Sequence, residues 1–413
     1  MSDYLPQEVL IEIFTRLPVK TLLQIRLVCR LWYSIISNPT FITAHINKTK
    51  HRQCHSHSLL LRHFAENERH KKEHYLLLSN ENQTLLNEYN VELQFPFKTR
   101  SKYHFRIVGS CNGVLCLSDD YGDNAYGIIL WNPSIRKYKS LPSPRVTKKT
   151  HGSYMFVLGF GFDSKSNDYK VVRVAYVKGR NGRDLIPPEV ELYALSSGSW
   201  RGFNAGAPPY GIYGCTWSQA FVNGAVHWIG YDPCVAKGDC ALVVSFDMSD
   251  EIFRGMLLPD SLVQCGWDLT VSVFGEMLSV YHYEYGSRKQ FCSVWVMKEY
   301  GVIEAWTKLY SIDLHGGLQK LIWFRKNEEV ILVTVRGKLI TYDLNTLQMR
   351  GLGLRGAIDS VYVDNYMESL VLVEEQSAIL GPDAITCEGG EEDREAPQWP
   401  GSKNRQDNFS LLI

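Results

Sequence analysis

What this chain lacks narrows the field first. Its 413 residues contain no apolar run as long as a membrane span. Met1-Ser2-Asp3-Tyr4 shows neither the basic nor the apolar region of a secretory leader, so the expected location is cytoplasmic and/or nuclear. Lysine plus arginine and aspartate plus glutamate number 44 each. A formal net charge of zero argues against nucleic acid or an anionic membrane as the dominant partner. The 10 cysteines follow no framework, as expected of reduced thiols. His51, Cys54, His55 and His57 lack the second ligand pair that structural zinc uses, so no metal is expected. Gly159-Phe160-Gly161-Phe162 leads into a strand, where a phosphate loop needs a helix N-terminus, and no cofactor is expected. There is no Gly-x-Ser-x-Gly elbow and no nucleophile–base constellation, so the chain is expected not to be an enzyme.

What is present begins in the first forty residues, which read as a string of very short helices. Val9, Leu10, Ile13, Phe14 and Leu17 recur at three- and four-residue steps and form one apolar face. Pro18 stops that helix, because its ring clashes with the preceding turn. Leu22, Leu23, Ile25, Leu27 and Val28 begin a second, and Trp32, Ile35 and Ile36 a third. A module this small cannot bury so much apolar surface by itself, so the excess must face a partner or the rest of the chain.

From about residue 75 to 375 the texture changes to short β-rich runs separated by turn residues. A unit recurs: an aromatic in one strand, a polar turn, and a bulky residue seven positions later. Trp131-Asn132-Pro133-Ser134 leads to Tyr138, Tyr193 to Trp200, Phe246-Asp247-Met248-Ser249 to Phe253, and Tyr342-Asp343-Leu344-Asn345 to Met349. In a fifth copy the interval stretches to eleven, from Trp295 to Trp306. Tyr138, Trp200, Phe253 and Trp306 stand 62, 53 and 53 residues apart. That period fits one four-stranded blade, near the roughly 50 residues of a kelch unit. Asn112-Gly113 and Asn223-Gly224 mark hairpins inside the units. Five units are complete. Ser360-Val361-Tyr362-Val363 with Ser369-Leu370-Val371-Leu372-Val373 supplies half a sixth. Strands at 58–64 and near Tyr75 would complete it, closing about six blades into a ring that protects the sheet edges.

The opening stretch resembles the F-box. Leu5-Pro6, the acidic Glu8, the break at Leu17-Pro18 and the run Val28-Cys29-Arg30-Leu31-Trp32 carry the resemblance. The β region resembles the F-box-associated domain of plant F-box proteins. Its matching strings are Gly109-Ser110-Cys111-Asn112-Gly113, Trp131 to Tyr138, Asn167-Asp168-Tyr169-Lys170-Val171-Val172-Arg173, Ser245-Phe246-Asp247-Met248 and Val294 to Gly301. The S-locus and S-haplotype-specific members, known from self-incompatibility, and F-box/kelch-repeat relatives share them. The resemblance implies a substrate receptor of a Skp–cullin–F-box ubiquitin ligase. The F-box would dock on the Skp-type adaptor through Leu5, Pro6, Glu8, Val9, Ile13, Leu17, Pro18, Leu22, Val28, Cys29 and Trp32. The implied client is an S-ribonuclease or an immune receptor. The rival readings are a non-degradative adaptor-binding scaffold and a propeller enzyme with a degenerate F-box.

The expected organisation is an all-α F-box module at 1–45, a hinge at 46–74, an all-β propeller at 75–375 and a disordered tail at 376–413. Client contacts are expected in loops that break the repeat, since recognition concentrates in loops on rigid scaffolds. One loop is basic, with Arg180 and Arg183; the others are rich in tyrosine, with Tyr210 and Tyr213, and Tyr283 and Tyr285.

Overall fold

A computed structural model describes residues 5–52, 58–67, 70–79, 91–95, 105–119, 127–179, 187–203, 208–213, 219–233, 240–285, 290–325 and 328–372. The chain opens with four helices, α1 (Gln7–Phe14), α2 (Val19–Ile25), α3 (Arg30–Ile36) and α4 (Pro39–Arg52). Pro6 and Pro18 sit just before α1 and α2. There their fixed φ suits the helix start and their missing N–H leaves no bond unmade.

Six antiparallel sheets follow. Blade 1 runs through Arg106–Cys111, Val114–Ser118, Ile128–Asn132 and Lys137–Ser140, and blade 2 through Tyr154–Asp163, Asp168–Val177, Glu189–Ala194 and Ser199–Gly202. Blade 3 pairs both Gly211–Ile212 and Ala220–Val222 with Ala225–Asp232, then adds Cys240–Asp247 and Phe253–Leu257. Blade 4 comprises Leu269–Phe274, Met277–Tyr285, Gln290–Met297 and Trp306–Asp313, and blade 5 Leu318–Phe324, Glu329–Thr334, Lys338–Asp343 and Met349–Arg355. Blade 6 takes its innermost strand, Tyr362–Tyr366, from the C-terminal side and its outer three, Ser58–Asn67, His70–Ser79 and Val91–Glu92, from the N-terminal side.

The ring is closed by six apolar cores, one at each junction between neighbours. Leu130 and Phe160 share the core between blades 1 and 2, and Val172 and Val226 that between 2 and 3. Ile229 and Val280 join 3 to 4, Val294 and Val330 join 4 to 5, Ile331 and Leu61 join 5 to 6, and Tyr75 and Trp131 join 6 to 1. Each middle strand is therefore covered on both faces, which is why Val114–Ser118 is buried at every position and reads as a continuous run. The outermost strand of blade 1 is only half-covered and carries Lys137 and Lys139. Arg62, buried in blade 6, reinforces the closure by donating to the carbonyls of Ser360 (2.5 Å) and Phe105.

The seven-residue interval of the repeat has a geometric cause. Trp131 and Tyr138, Tyr193 and Trp200, Phe246 and Phe253, and Tyr342 and Met349 are direct cross-strand partners around one turn. The turn polar residue fixes it: Asp247 accepts from the N–H groups of Ser249 and Asp250, and Asp343 from those of Asn345 and Thr346. The fifth copy departs from this. Trp306 faces Met297, while Trp295 faces Lys308 across a register shift. At the inner hairpin of blade 1, Asn112 and Gly113 have φ of 50° and 78°, as a primed turn requires.

Two boundaries differ from expectation, and a third lies outside the described residues. The stretch 46–74, read as a hinge, holds the end of α4 and two long strands of blade 6. The strand expected at 58–64 is there and runs on to Asn67, burying Arg62 and His63, so the stretch belongs to the ring rather than to a hinge. Residues 369–370 are irregular and 371–372 a turn rather than a strand, because the innermost strand ends at Tyr366 and the chain crosses beneath the helices. The tail expected at 376–413 lies outside the described residues.

Candidate protein-interaction surfaces

The helical module has its own core. Leu10, Phe14, Val19, Leu22, Ile35, Ile36 and Phe41 are buried together, and Phe14 meets Trp32 edge-on with centroids 5.2 Å apart. Leu370 of the propeller completes this core, so the module is packed onto the ring. Polar bonds fix the seat. The Asn132 side-chain amide donates to the carbonyls of Ser369 (3.0 Å) and Val371 (2.8 Å). Thr43 Oγ1 donates to Asn167 Oδ1 at 3.0 Å. The Glu368 carboxylate accepts from the Val19 N–H at the start of α2, while its burial pushes its pKa up. Gly113 lies so close beneath this crossing that a Cβ would stand 2.3 Å from the Met367 carbonyl oxygen.

The rest of the module's apolar surface remains outside. Val9 and Ile13, four residues apart, stand exposed on one side of α1, with exposed Leu5 just before it. Leu27, Val28, Leu31 and Tyr33 add a second exposed group, with Leu27 84% and Val28 65% accessible. Of the expected adaptor contacts, Leu5, Pro6, Glu8, Val9, Ile13, Pro18 and Val28 are exposed, and Leu17, Cys29 and Trp32 are half-buried. Leu22 is the correction. It is 0% exposed inside the core shared with the propeller, because its face of α2 turns toward the ring. Leu27, Leu31 and Tyr33 were left out of the expected contacts; their signal was an apolar excess beyond the reach of a single helical face.

Alternation within the blades places the second surface. In each blade the turns joining strands one to two and three to four lie at one edge; the other connections lie at the opposite edge. The module sits against the first set, touching 133–135, 167 and 367–372. Of the loops expected to hold the client, the described parts, 178–179, 208–213 and 281–285, lie toward the second set, on the far face.

Their side chains do not all point outward. Tyr213 is 3% exposed and packs on Tyr231, with centroids 5.0 Å apart. Tyr283 is 6% exposed and donates its hydroxyl to the Leu321 carbonyl of blade 5 at 3.2 Å. Both therefore serve packing between strands and blades. Tyr210 is half-buried over Gly255, where a Cβ would come within 2.8 Å of its ring, and its carbonyl accepts from the Tyr176 hydroxyl. Tyr285 ends a strand opposite Gln290. Arg180 and Arg183 lie outside the described residues. The far face presents Trp267 instead, 60% exposed in a tight turn between blades 3 and 4, with its ring 4.6 Å from Tyr213. Sequence reasoning passed over it, although it is a tryptophan outside the repeat positions.

The groups singled out for chemistry are enclosed within the fold. Among the described residues no group of three His, Cys, Asp or Glu side chains converges to hold a metal. His227 is enclosed in blade 3, bonding the Ala220 carbonyl through Nδ1 (3.0 Å) and the Tyr300 hydroxyl through Nε2 (2.7 Å). The buried thiols of Cys111 and Cys292 are pushed up to about 12 by burial, the opposite of an activated nucleophile.

Residues 2–47 match the model of an F-box-like domain, and residues 78–377 that of the F-box associated beta propeller domain. The chain belongs to the F-box proteins with an F-box-associated propeller. Its relatives include the F-box protein At3g07870 of Arabidopsis thaliana, 33% identical, with 79% of this chain and 78% of that one covered. The F-box protein CPR1 of the same plant is 26% identical, with 89% of each chain covered. The F-box/kelch-repeat protein At3g23880 is 26% identical, with 82% of this chain and 87% of that one covered. Among solved structures, dipeptidyl peptidase 4 of Porphyromonas gingivalis aligns at a TM-score of 0.32 and 10% identity, over 77% of this chain and 52% of that one. A likeness of that size bears on neither client nor chemistry. Membership in the F-box family supports a substrate-receptor role and, in general, binding of a Skp-type adaptor through the helical module.

Proposed function

We propose that this protein is the client-binding subunit of a Skp–cullin–F-box ubiquitin ligase. The observation that carries the reading is the division between two opposite faces. The exposed row Leu5, Val9, Ile13, with Leu27 and Val28, is an apolar surface that a folded chain does not leave uncovered without a use. The opposite face of the ring, where the expected client loops and the exposed Trp267 lie, is free of the helical module, which packs on the first face through Leu370. Such a body acts by proximity, raising the effective concentration of client lysines near the ubiquitin thioester without a catalytic group of its own. It is proposed to work in the cytoplasm or nucleus, and its client to be a secreted-type ribonuclease or an immune receptor.

The test is reconstitution of the full chain with adaptor, cullin and RING subunit, using clients captured from pollen and from leaf extracts. Ubiquitination of a captured client is the expected result. Capture of both client and adaptor without ubiquitin transfer would establish the non-degradative scaffold instead.

A further inference from the structure

The connection from blade 1 to blade 2, residues 141–153, crosses the far face and is described throughout. It carries Arg145, Lys148, Lys149 and His151, all exposed, and no acidic residue. Exposed Lys178, at the end of the second strand of blade 2, lies beside it, tied by its N–H to the Ser153 carbonyl at 2.9 Å. In a chain of zero net charge this is a local concentration of one sign.

The loop is also held more firmly than an exposed loop needs to be. Arg173 and Glu191, 1% and 2% exposed, form an ion pair at 2.6 Å inside blade 2. Its remaining bonds go to this loop. Glu191 Oε1 accepts from the N–H groups of Arg145 (2.6 Å) and Val146 (3.2 Å), and Arg173 Nη1 donates to the Val146 carbonyl at 3.1 Å. The guanidinium also lies over the rings of Tyr154 and Phe156, 5.1 and 4.6 Å from their centroids. Next in the chain, Thr147 and Thr150 form a reciprocal capping box around the single turn α5 (Lys148–His151) that displays the two lysines. Burying an ion pair is expensive, and here it pins the backbone that carries three exposed cations. Cations fixed in advance lose little freedom when a partner arrives.

We propose that this basic edge of the far face is a client-docking site, and that it takes a run of Asp or Glu carboxylates on the client. The inference rests on the receptor reading above, since it assigns the chemistry of what that face binds. Arg145, Lys148 and Lys149 make the contacts, and the Arg173–Glu191 pair positions them.

The probe is a fluorescein-labelled glutamate-rich peptide, with its glutamine twin and a phosphoserine version, titrated onto the full chain by anisotropy. Two variants carry the same charge change: Arg145→Gln/Lys148→Gln/Lys149→Gln on the far face, and Lys298→Gln/Lys308→Gln/Arg350→Gln on exposed surface toward the opposite face. The expected result is binding of the glutamate peptide over its twin. The far-face variant should weaken it at least ~10-fold and the other variant hardly at all, with the difference fading at high salt. Equal loss in both variants, or binding of the phosphoserine peptide alone, would overturn the proposal. Adaptor binding and client ubiquitination do not enter this measurement. If the peptide fails while a client is still ubiquitinated, the site is wrong and the receptor reading stands.

Discussion

Tyr213 and Tyr283 of the propeller and Leu5, Val9 and Ile13 of the helical module were all expected to contact a partner. The two tyrosines are buried and the three aliphatic residues are exposed. The difference follows from what surrounds each region. A blade has a neighbour on both sides, so a bulky residue near a strand end is absorbed into the junction, as Tyr283 is against blade 5. A four-helix module seated on one edge of the ring has one covered side, so the far side of α1 is left over. A tyrosine-rich loop in a propeller is therefore poor evidence of a contact surface. An apolar row on a small helical module is good evidence of one.

The largest way to break this contrast is to remove the junctions themselves. A chain ending at residue 357 lacks the innermost strand of blade 6, and with it Leu370 of the module core. Calorimetry should show no cooperative melt, and survival of most of the full-length transition would mean that closure is dispensable. Next in size, Tyr283→Ala should cost about 3–5 kcal/mol, as loss of a buried aromatic does. Tyr283→Phe should cost about 1 kcal/mol for the lost hydroxyl bond. Denaturant titration reads both, and a near-neutral Tyr283→Ala would return that residue to the surface.

Acid should act on the propeller through His227. Its Nδ1–H donates to the Ala220 carbonyl and its Nε2 accepts from the Tyr300 hydroxyl, so the enclosed ring is neutral. Burial pushes its pKa down from 6.5 to about 4. The unfolded chain then binds the extra proton first, and stability present above about pH 6.5 is lost as pH falls toward 4. Between pH 7 and pH 5 this residue alone should remove about 2 kcal/mol. Denaturant midpoints of the parent and His227→Gln at the two pH values measure it, and an identical pH dependence in both would exclude His227 as the source. The smallest effect on stability belongs to Trp267→Ala, within about 1 kcal/mol because the ring is mostly exposed. Client capture in a pull-down should fall nonetheless, and unchanged capture would remove Trp267 from the contact surface.

Much of the architecture was legible because the signals were local. The interval from Trp131 to Tyr138 is a hairpin with a fixed turn, and Asn112-Gly113 is a hairpin turn in itself. Helical spacing marked Val9, Leu10, Ile13, Phe14 and Leu17 as one face, which the fold divides: Leu10 and Phe14 enter the core while Val9 and Ile13 stay outside. What was missed depended on non-local burial. A strand at 58–64 was expected, but its extension to Asn67 and the burial of Arg62 and His63 depend on the closing strand and Ser360. Leu22 looked like a contact residue because nothing in α2 indicates which of its faces meets Leu370. Trp295 and Trp306 looked paired because the sequence does not show the register shift after Val294.

The central claim is that one face of this molecule holds the ligase and the other holds the client. Calorimetric titration of the Skp-type adaptor into the full chain tests it most directly, comparing the parent with Leu5→Ala/Val9→Ala/Ile13→Ala and with Trp267→Ala. The account predicts that the triple variant loses at least ~100-fold in adaptor affinity while melting like the parent, and that Trp267→Ala binds adaptor as the parent does. Parent-like adaptor affinity in the triple variant would contradict it.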